Sequence, residues 1–153
     1  MGLDMYLEAE EYISGYQHNG QEAQRFKEIA QATGLIDIVA EDTPSMKVSI
    51  VAVYWRKANQ IHAWFVQNVQ EGVDECERHW VPQLDELRDL CLDVLENGWA
   101  EEKLPTQSGF FFGGTAYDEW YTGDLEHTAK SLTKLLEKVP EDSRVQFYYQ
   151  SSW

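Results

Sequence analysis

Residues 47–69, KVSIVAVYWRKANQIHAWFVQNV, carry two consecutive patterns that together indicate the fold class. The first, over 47–54, is rich in β-branched side chains and predicts a well-buried strand. The second, over 54–69, places apolar residues at helical spacing and predicts a helix that leaves this strand. A strand followed at once by an amphipathic helix indicates a domain in which helices pack on a sheet.

Two side chains of this predicted helix lie in unexpected positions. On a helical wheel of about 100° per residue, His62 is at the centre of the apolar face. It is either a neutral core histidine with hydrogen-bonded ring nitrogens or a ligand contact in a polar pocket. Trp64 lies nearly opposite, so it either packs beneath a long connection or forms a subunit contact or an aromatic platform. The rest of the apolar face is Trp55, Ala58, Phe65, Val66 and Val69, with Asn59 at its margin.

The rest of the chain adds helices and strands in an irregular order. Asn19 with Glu22 resembles a capping box, Gly34 is a natural helix stop, and Pro82 is typical of a first helical turn. Since no strand–helix–strand unit repeats, we predict one compact α+β domain over residues 1–153, with a mainly antiparallel sheet. We expect the strands nearest the chain ends to be neighbours. The further predicted strands are 3–7, 35–40 and 145–150, and the further helices are about 20–33, 82–97 and 124–138.

The charge of the chain limits its partners. The formal net charge is −15, which argues against direct binding to nucleic acid, because phosphates require basic patches. The excess is spread evenly, at −6, −5 and −4 over residues 1–50, 51–100 and 101–153, as on an ordinary solvated surface. No apolar run approaches the roughly 20 residues that span a bilayer, and the N-terminus shows no secretion signal. We therefore expect a cytoplasmic protein without a membrane partner.

An aromatic segment, GFFFGGTAYDEWY at 109–121, has six aromatic side chains in thirteen positions. In extended chain, the three successive phenylalanines cannot all face the core, because side chains alternate in direction. Tyr117, Trp120 and Tyr121 have the i, i+3, i+4 spacing of a helical stripe, which is more often core than site. The neighbouring Asp118 and Glu119 favour a binding surface, because aromatic faces with a few polar groups hold planar ligands such as nucleobases.

The C-terminal YYQSSW, residues 148–153, repeats this combination of aromatic and polar groups and predicts a docked tail. We expect the aromatic segment to lie beside Arg56, His62 and this tail, with Arg56 binding an anion. Trp64 and Trp153 are hard to bury in a lone domain and predict a homo-oligomer. The predicted ligand-binding residues are Trp55, Arg56, Asn59, His62, Phe111, Tyr117, Asp118, Trp120, Tyr148, Gln150 and Ser151.

Catalytic and metal-binding patterns are weak. Cys76 and Cys91 have neither metal-ligand spacing nor a disulfide framework, and we expect two reduced thiols. Cys76 and His79 have no identifiable third group that would orient a nucleophile and base. DECERH at 74–79 lacks a zinc spacing. The sequence therefore predicts no catalytic residue, metal or cofactor, and disfavours an enzyme.

Several motifs resemble those of small uncharacterised proteins encoded by tailed bacteriophages and prophages. They are MGLDMYL, YWRKANQIHAWFV, GFFFGG, YDEWY and YYQSSW, and they extend from the first residue to the last, although about 8–47 contains none. The resemblance implies a phage accessory protein in the cytoplasm of a bacterial host, and it supplies no activity and no site residues.

The favoured hypothesis is non-catalytic sequestration of a nucleotide-like small molecule in counter-defence against the host. One alternative is a protein–protein inhibitor or DNA mimic with a host defence protein as partner, which acidic residues gathered on one face would favour. The other is a nucleotide or cyclic-dinucleotide hydrolase, which product formation would reveal.

Overall fold

The computed structural model describes residues 2–153, and its α+β fold confirms the predicted fold class. The strands of this range are β1 (Asp4–Ser14), β2 (Ser45–Arg56), β3 (His79–Val81) and β4 (Gln146–Ser152). The helices are α1 (Gln21–Ala32), α2 (Asn59–Asn68), α3 (Asp85–Asn97), α4 (Ala100–Lys103) and α5 (Glu119–Lys138), with 3-10 turns at Gln17–Asn19 and Ile36–Ile38. The strands form one antiparallel sheet in the order β2-β1-β4-β3, so the strands nearest the chain ends are neighbours, as predicted.

The chain divides into two compact units, and the larger comprises residues 51–153 with the start of the chain as far as Ala9. Alternate residues Met5 and Leu7 of β1 are buried, as the period of a strand requires. Helices α3 and α5 pack against each other, and the ring of Phe65 in α2 stacks on Tyr149 of β4 at 3.9 Å. The largest fully buried apolar side chains include Leu3, Met5, Leu7, Ile61, Phe65, Leu87, Leu104, Leu125, Leu132 and Tyr149.

The smaller unit, Glu10–Ile50, has its own apolar cluster of Ile13, Phe26 and Ala30. Gly15 is required here, because a Cβ atom at this position would lie 2.8 Å from Cδ1 of Phe26. Helix α1 is capped by Gly20 rather than by a capping box at Asn19. It ends in a Schellman motif around Gly34, whose φ is +73°, as the predicted stop requires.

Two strand predictions need correction. The segment 35–40 is not a strand, because the Schellman motif turns the chain directly into the 3-10 turn Ile36–Ile38. The segment 48–54 is a strand but is not well buried, because β2 is an edge strand of the sheet and Ile50 and Val51 are exposed. β-branching favours a strand conformation and does not by itself report burial. The strands predicted at 3–7 and 145–150 are confirmed as β1 and β4.

The predicted helices exist, and their first residues differ from the prediction. Helix α2 begins at Asn59 rather than near Tyr54, because β2 continues to Arg56 and Lys57 adopts a left-handed φ of +60°. Helix α5 begins at Glu119 rather than at 124, since Asp118 accepts hydrogen bonds from the backbone N–H groups of Trp120 and Tyr121. Over residues 2–153, no helix is long and apolar enough to cross a membrane.

Candidate functional site

A cavity of about 520 Å³ lies in the larger unit, within the range of small-molecule sites. Its lining comes from three parts of the chain. These are the junction of β2 and α2 at 56–60, the connection before α5 at 106–116, and the first turns of α5 at 118–124. The cavity therefore lies where the aromatic segment meets the end of the edge strand.

Arg56 and Lys57, which we call the cationic pair, lie at one side of this lining. The Arg56 side chain is mostly exposed, and its Nε lies 3.8 Å from Oδ1 of Asp4. The Lys57 ammonium has no partner among the described residues. The chain as a whole is acidic and repels anions. Two adjacent cations at a cavity would attract an anion locally in spite of this net negative charge.

The backbone of Lys57 is held in a conformation that lysine rarely adopts. Its φ is +60°, and a non-glycine residue in this region carries roughly 1–3 kcal/mol of strain. Its N–H donates to the carbonyl of Leu3 at 2.8 Å, which fixes the junction. Gly113 approaches so closely that an added Cβ atom would lie 3.1 Å from the Lys57 Cβ. The fold therefore maintains a strained lysine at the edge of the cavity.

Asn59 forms the scaffold of the cavity. Its Nδ2 donates to the carbonyls of Phe112 at 3.0 Å and Gly114 at 2.8 Å, and its Oδ1 accepts from the N–H of Gln107 at 2.8 Å. The side chain is buried, and both amide N–H groups are used. Asn59, a predicted ligand contact, lines the cavity, and its hydrogen bonds hold the long connection in place.

Gln60 and Asp124, which we call the acceptor wall, line the cavity beside the scaffold. Gln60 is only 2% exposed, and its Nε2 donates to Oδ2 of Asp124 at 3.1 Å. Burial raises the pKa of the Asp124 carboxyl, while the hydrogen bond from Gln60 and the nearby His127 act in the opposite direction. Gln60 Oε1 and Asp124 Oδ1 have no partner among the described residues.

The aromatic stripe of the sequence divides between core and surface. Tyr121 is buried and its hydroxyl donates to the carbonyl of Leu104 at 2.9 Å. The Tyr117 hydroxyl accepts from the N–H of Thr106 at 3.2 Å, and its ring packs on Tyr121. Trp120 lines the cavity and remains 77% exposed. Of the three aromatic residues, Trp120 offers the free ring face.

The three successive phenylalanines face different environments, as predicted. Phe112 is buried, Phe111 is partly buried against the core, and Phe110 is 94% exposed. None of the three lines the cavity. The structure therefore does not place Phe111, a predicted ligand contact, where a ligand in this cavity would lie.

His62 is fully buried and belongs to a hydrogen-bond network, the histidine cluster, with Tyr149, Asp74 and Trp153. Its Nδ1 lies 2.7 Å from the Tyr149 hydroxyl, and its Nε2 lies 3.0 Å from Oδ1 of Asp74. The Trp153 indole donates to the same Asp74 oxygen at 3.2 Å. Burial lowers the pKa of His62, although Asp74 raises it, so the ring is neutral. Of the two interpretations left open by the sequence, the structure favours the core histidine.

Other predicted site residues also lie outside the cavity. The buried Trp55 indole donates to the hydroxyl of Thr128 at 2.8 Å. In the C-terminal strand, the Tyr148 ring lies under the Arg78 guanidinium at 3.7 Å. Gln150 and Ser151 donate to the carbonyls of Cys76 and Glu75, respectively. The predicted residues that line the cavity are Arg56, Asn59, Asp118 and Trp120.

The sequence interpretation missed three polar side chains of the cavity. Lys57 was not among the predicted ligand-binding residues, although its neighbour Arg56 was. Gln60 carries no distinctive signal, and Asp124 lies at the start of the helix predicted at 124–138, where a carboxylate is expected to favour the helix dipole. Both are brought to the cavity by the true starts of α2 and α5.

The tryptophans that motivated the oligomer prediction are less anomalous than expected. Trp64 is partly buried, packs against the core and meets Phe65 edge-on at 5.3 Å. Trp153 is partly exposed and has its indole hydrogen-bonded in the histidine cluster. The homo-oligomer stays a prediction, and Trp64 no longer supplies a strong reason for it.

The cysteines are unpaired, and the described residues contain no metal-ligand cluster. Cys91 is buried, which raises the pKa of its thiol to about 12, whereas Cys76 is exposed. Within residues 2–153, no group of three or more His, Cys, Asp or Glu side chains is arranged to hold a metal ion.

Comparisons with known proteins add no family to this geometry. No protein-family model matches the chain, and neither a curated protein nor a solved structure matches it. The site must therefore be interpreted from its own residues.

Proposed function

We propose that this cavity binds a small molecule with an anionic group and a planar ring, as a nucleotide has, and that the protein acts by holding this ligand. The observation that carries the proposal is that a single cavity combines cations, a free aromatic face and unpaired hydrogen-bond acceptors. These belong to the cationic pair, to Trp120 and to the acceptor wall.

The cationic pair supports binding of the anionic group. Lys57 has no partner among the described residues, and Arg56 has only the distant carboxylate of Asp4. A guanidinium pairs with phosphate through two parallel N–H donors, and an adjacent ammonium adds a point charge. The strain kept at Lys57 supports the same role, because such strain clusters at functional sites.

The chemistry of the lining supports holding rather than conversion. Its side chains include two carboxylates, Asp118 and Asp124, and the hydroxyls of Thr106 and Tyr121. Asp118 caps α5, while the Thr106 and Tyr121 hydroxyls donate to the carbonyls of Thr115 and Leu104. Among the described lining residues there is no cysteine, histidine or serine next to a base, the usual arrangement of an activated nucleophile.

In the setting that the motif resemblance implies, the protein would act in the cytoplasm of a bacterial host. A phage-encoded binding protein that sequesters a nucleotide-derived host signal would weaken a defence response without catalysis. The even spread of acidic residues and the single cationic pair at the cavity fit capture of a small anion better than imitation of DNA.

The proposal is tested by thermal stabilisation with mononucleotides, dinucleotides, cyclic dinucleotides and inorganic phosphate. A ligand at 100 times its Kd adds about 2.7 kcal/mol, or roughly 5–10 °C in Tm for a chain of this size. Arg56→Ala and Trp120→Ala should abolish or strongly reduce this shift. Their matched controls are Lys134→Ala, an exposed cation of α5, and Trp99→Ala, a 65% exposed tryptophan. Neither control residue lines the cavity.

Two results would contradict ligand binding at this cavity. The first is that no compound in the panel stabilises the wild-type protein. The second is that Arg56→Ala and Trp120→Ala respond as fully as their controls, which would place any bound ligand elsewhere. Release of product during incubation, followed by chromatography, would replace holding with hydrolysis.

A further inference from the structure

The acceptor wall restricts which planar ring fits the cavity. Gln60 lies at the start of α2 and is 2% exposed, yet its Oε1 is without a partner among the described residues. The Gln60 Nε2 donates to Oδ2 of Asp124, and this bond fixes both side chains. Gln60 Oε1 and Asp124 Oδ1 are therefore left as positioned, accessible acceptors at the cavity. A ligand that supplies N–H donors would meet two acceptors that are already oriented.

Trp120 and Asp124 are placed to act on one ring. They are four residues apart on α5, so their side chains are neighbours on the same side of the helix, and both line the cavity. A planar ring stacked on the Trp120 indole would therefore direct one edge toward the Asp124 carboxylate. Asp118 is not equivalent to Asp124, because its Oδ1 already accepts from two N–H groups of the helix N-terminus.

The nucleobases differ in what they offer a carboxylate. Guanine presents two adjacent donors, the ring N1–H and the exocyclic amine at C2, which match the two oxygens of an ionised carboxylate. Adenine and cytosine present a ring-nitrogen acceptor beside their amine, and uracil flanks its single N–H with two carbonyl oxygens. In each of these three bases, at least one acceptor would face the negative charge of Asp124.

We infer that the cavity selects a guanine-type base, stacked on Trp120 and bound through its N1–H and C2-amine edge by Asp124, with Gln60 as the residue that positions Asp124. The inference rests on the proposed function, since it assumes that a nucleotide occupies the cavity. To the proposed nucleotide binding, it adds the class of the base and names Asp124 as the residue that determines specificity.

The experiment is isothermal titration of the wild-type protein with GMP, IMP, AMP and XMP. IMP differs from GMP only in the missing amine at C2, so one hydrogen bond to a charged group is lost. We expect IMP to bind about 10- to 100-fold more weakly than GMP, and AMP to bind more weakly still. This comparison uses the wild-type chain alone, so it does not depend on any variant folding.

Asp124→Asn supplies the second test. An asparagine amide offers one donor and one acceptor, which match the O2 and N1–H of xanthine better than the two donors of guanine. The variant should therefore lose affinity for GMP and gain affinity for XMP. Glu126→Gln, an exposed carboxylate of α5 outside the cavity, is the matched control and should keep the wild-type order.

The outcomes separate the base assignment from the proposed function. Equal affinities for GMP, IMP and AMP, each lost in Arg56→Ala, would overturn the base assignment and leave nucleotide binding in place. A preference for GMP that Asp124→Asn leaves unchanged would overturn the role of Asp124. If none of the four nucleotides binds, both the base assignment and the proposal that the cavity binds a nucleotide are wrong.

Discussion

Within a single turn, helix α2 carries one polar side chain at the cavity, Gln60, and one in the core, His62. Their hydrogen bonds distinguish a candidate binding residue from a structural one. At its start, Gln60 helps to form the acceptor wall, where two oxygens have no partner among the described residues. Two residues later, His62 belongs to the histidine cluster, where both ring nitrogens are hydrogen-bonded. Unused hydrogen-bonding capacity beside a cavity indicates a binding role, whereas exhausted capacity in the core indicates a structural one.

The largest expected effect is the loss of stability when the histidine cluster is broken. His62→Ala removes a fully buried ring and takes one hydrogen-bond partner from the Tyr149 hydroxyl and one from the Asp74 carboxylate. We expect the free energy of unfolding to fall by about 3–5 kcal/mol, measured by urea denaturation. His18→Ala, an exposed histidine, is the control. A loss below about 1 kcal/mol would show that the cluster is not structural.

A smaller loss is expected at the scaffold. Asn59→Ala leaves three backbone groups unpaired, which should cost about 2–3 kcal/mol and loosen the connection at 104–118. Hydrogen exchange should therefore accelerate in this connection more than in α3. Asn97→Ala, which removes an exposed amide bonded to Asp93, should change neither quantity measurably. Unchanged exchange in the connection would contradict the scaffold role.

The smallest effect is a pH dependence at Asp124. Because burial raises its pKa above the ordinary 3.8, folding is penalised while the carboxylate is ionised. As the pH falls through the raised pKa toward 3.8, the folded state binds the proton first and the penalty disappears. Asp124→Asn should therefore be more stable than wild type at pH 7, with a difference that shrinks toward pH 4. A difference independent of pH would contradict this account.

The contrast within α2 also shows what the sequence could and could not reveal. Hydrophobic periodicity predicted the strands near the chain ends and the face of α2 that carries His62, because burial of apolar surface determines both. The periodicity placed the start of α2 too early, because no residue in YWRKAN indicates that Lys57 adopts a left-handed conformation. The backbone conformation that places Lys57 at the cavity was therefore not predicted.

The structure places some of the predicted site residues at the cavity and others elsewhere. Arg56, Asp118 and Trp120 line the cavity, whereas Tyr148, Gln150 and Ser151 make contacts elsewhere in the core and the sheet. Residue type could not distinguish these groups, because an amide or a phenol is equally suited to a ligand and to a buried carbonyl. The distinction depends on partners that lie far away along the chain.

The most direct test of the central claim is the paired measurement of stability and nucleotide binding in Lys57→Gly. Glycine adopts the left-handed conformation without strain, so the free energy of unfolding should rise by about 1 kcal/mol. Removal of the ammonium should at the same time greatly reduce stabilisation by the nucleotide. Glu71→Gly, at another left-handed position outside the cavity, should gain stability and keep binding. If Lys57→Gly binds the nucleotide as tightly as Glu71→Gly does, the strained lysine serves no ligand and the account is wrong.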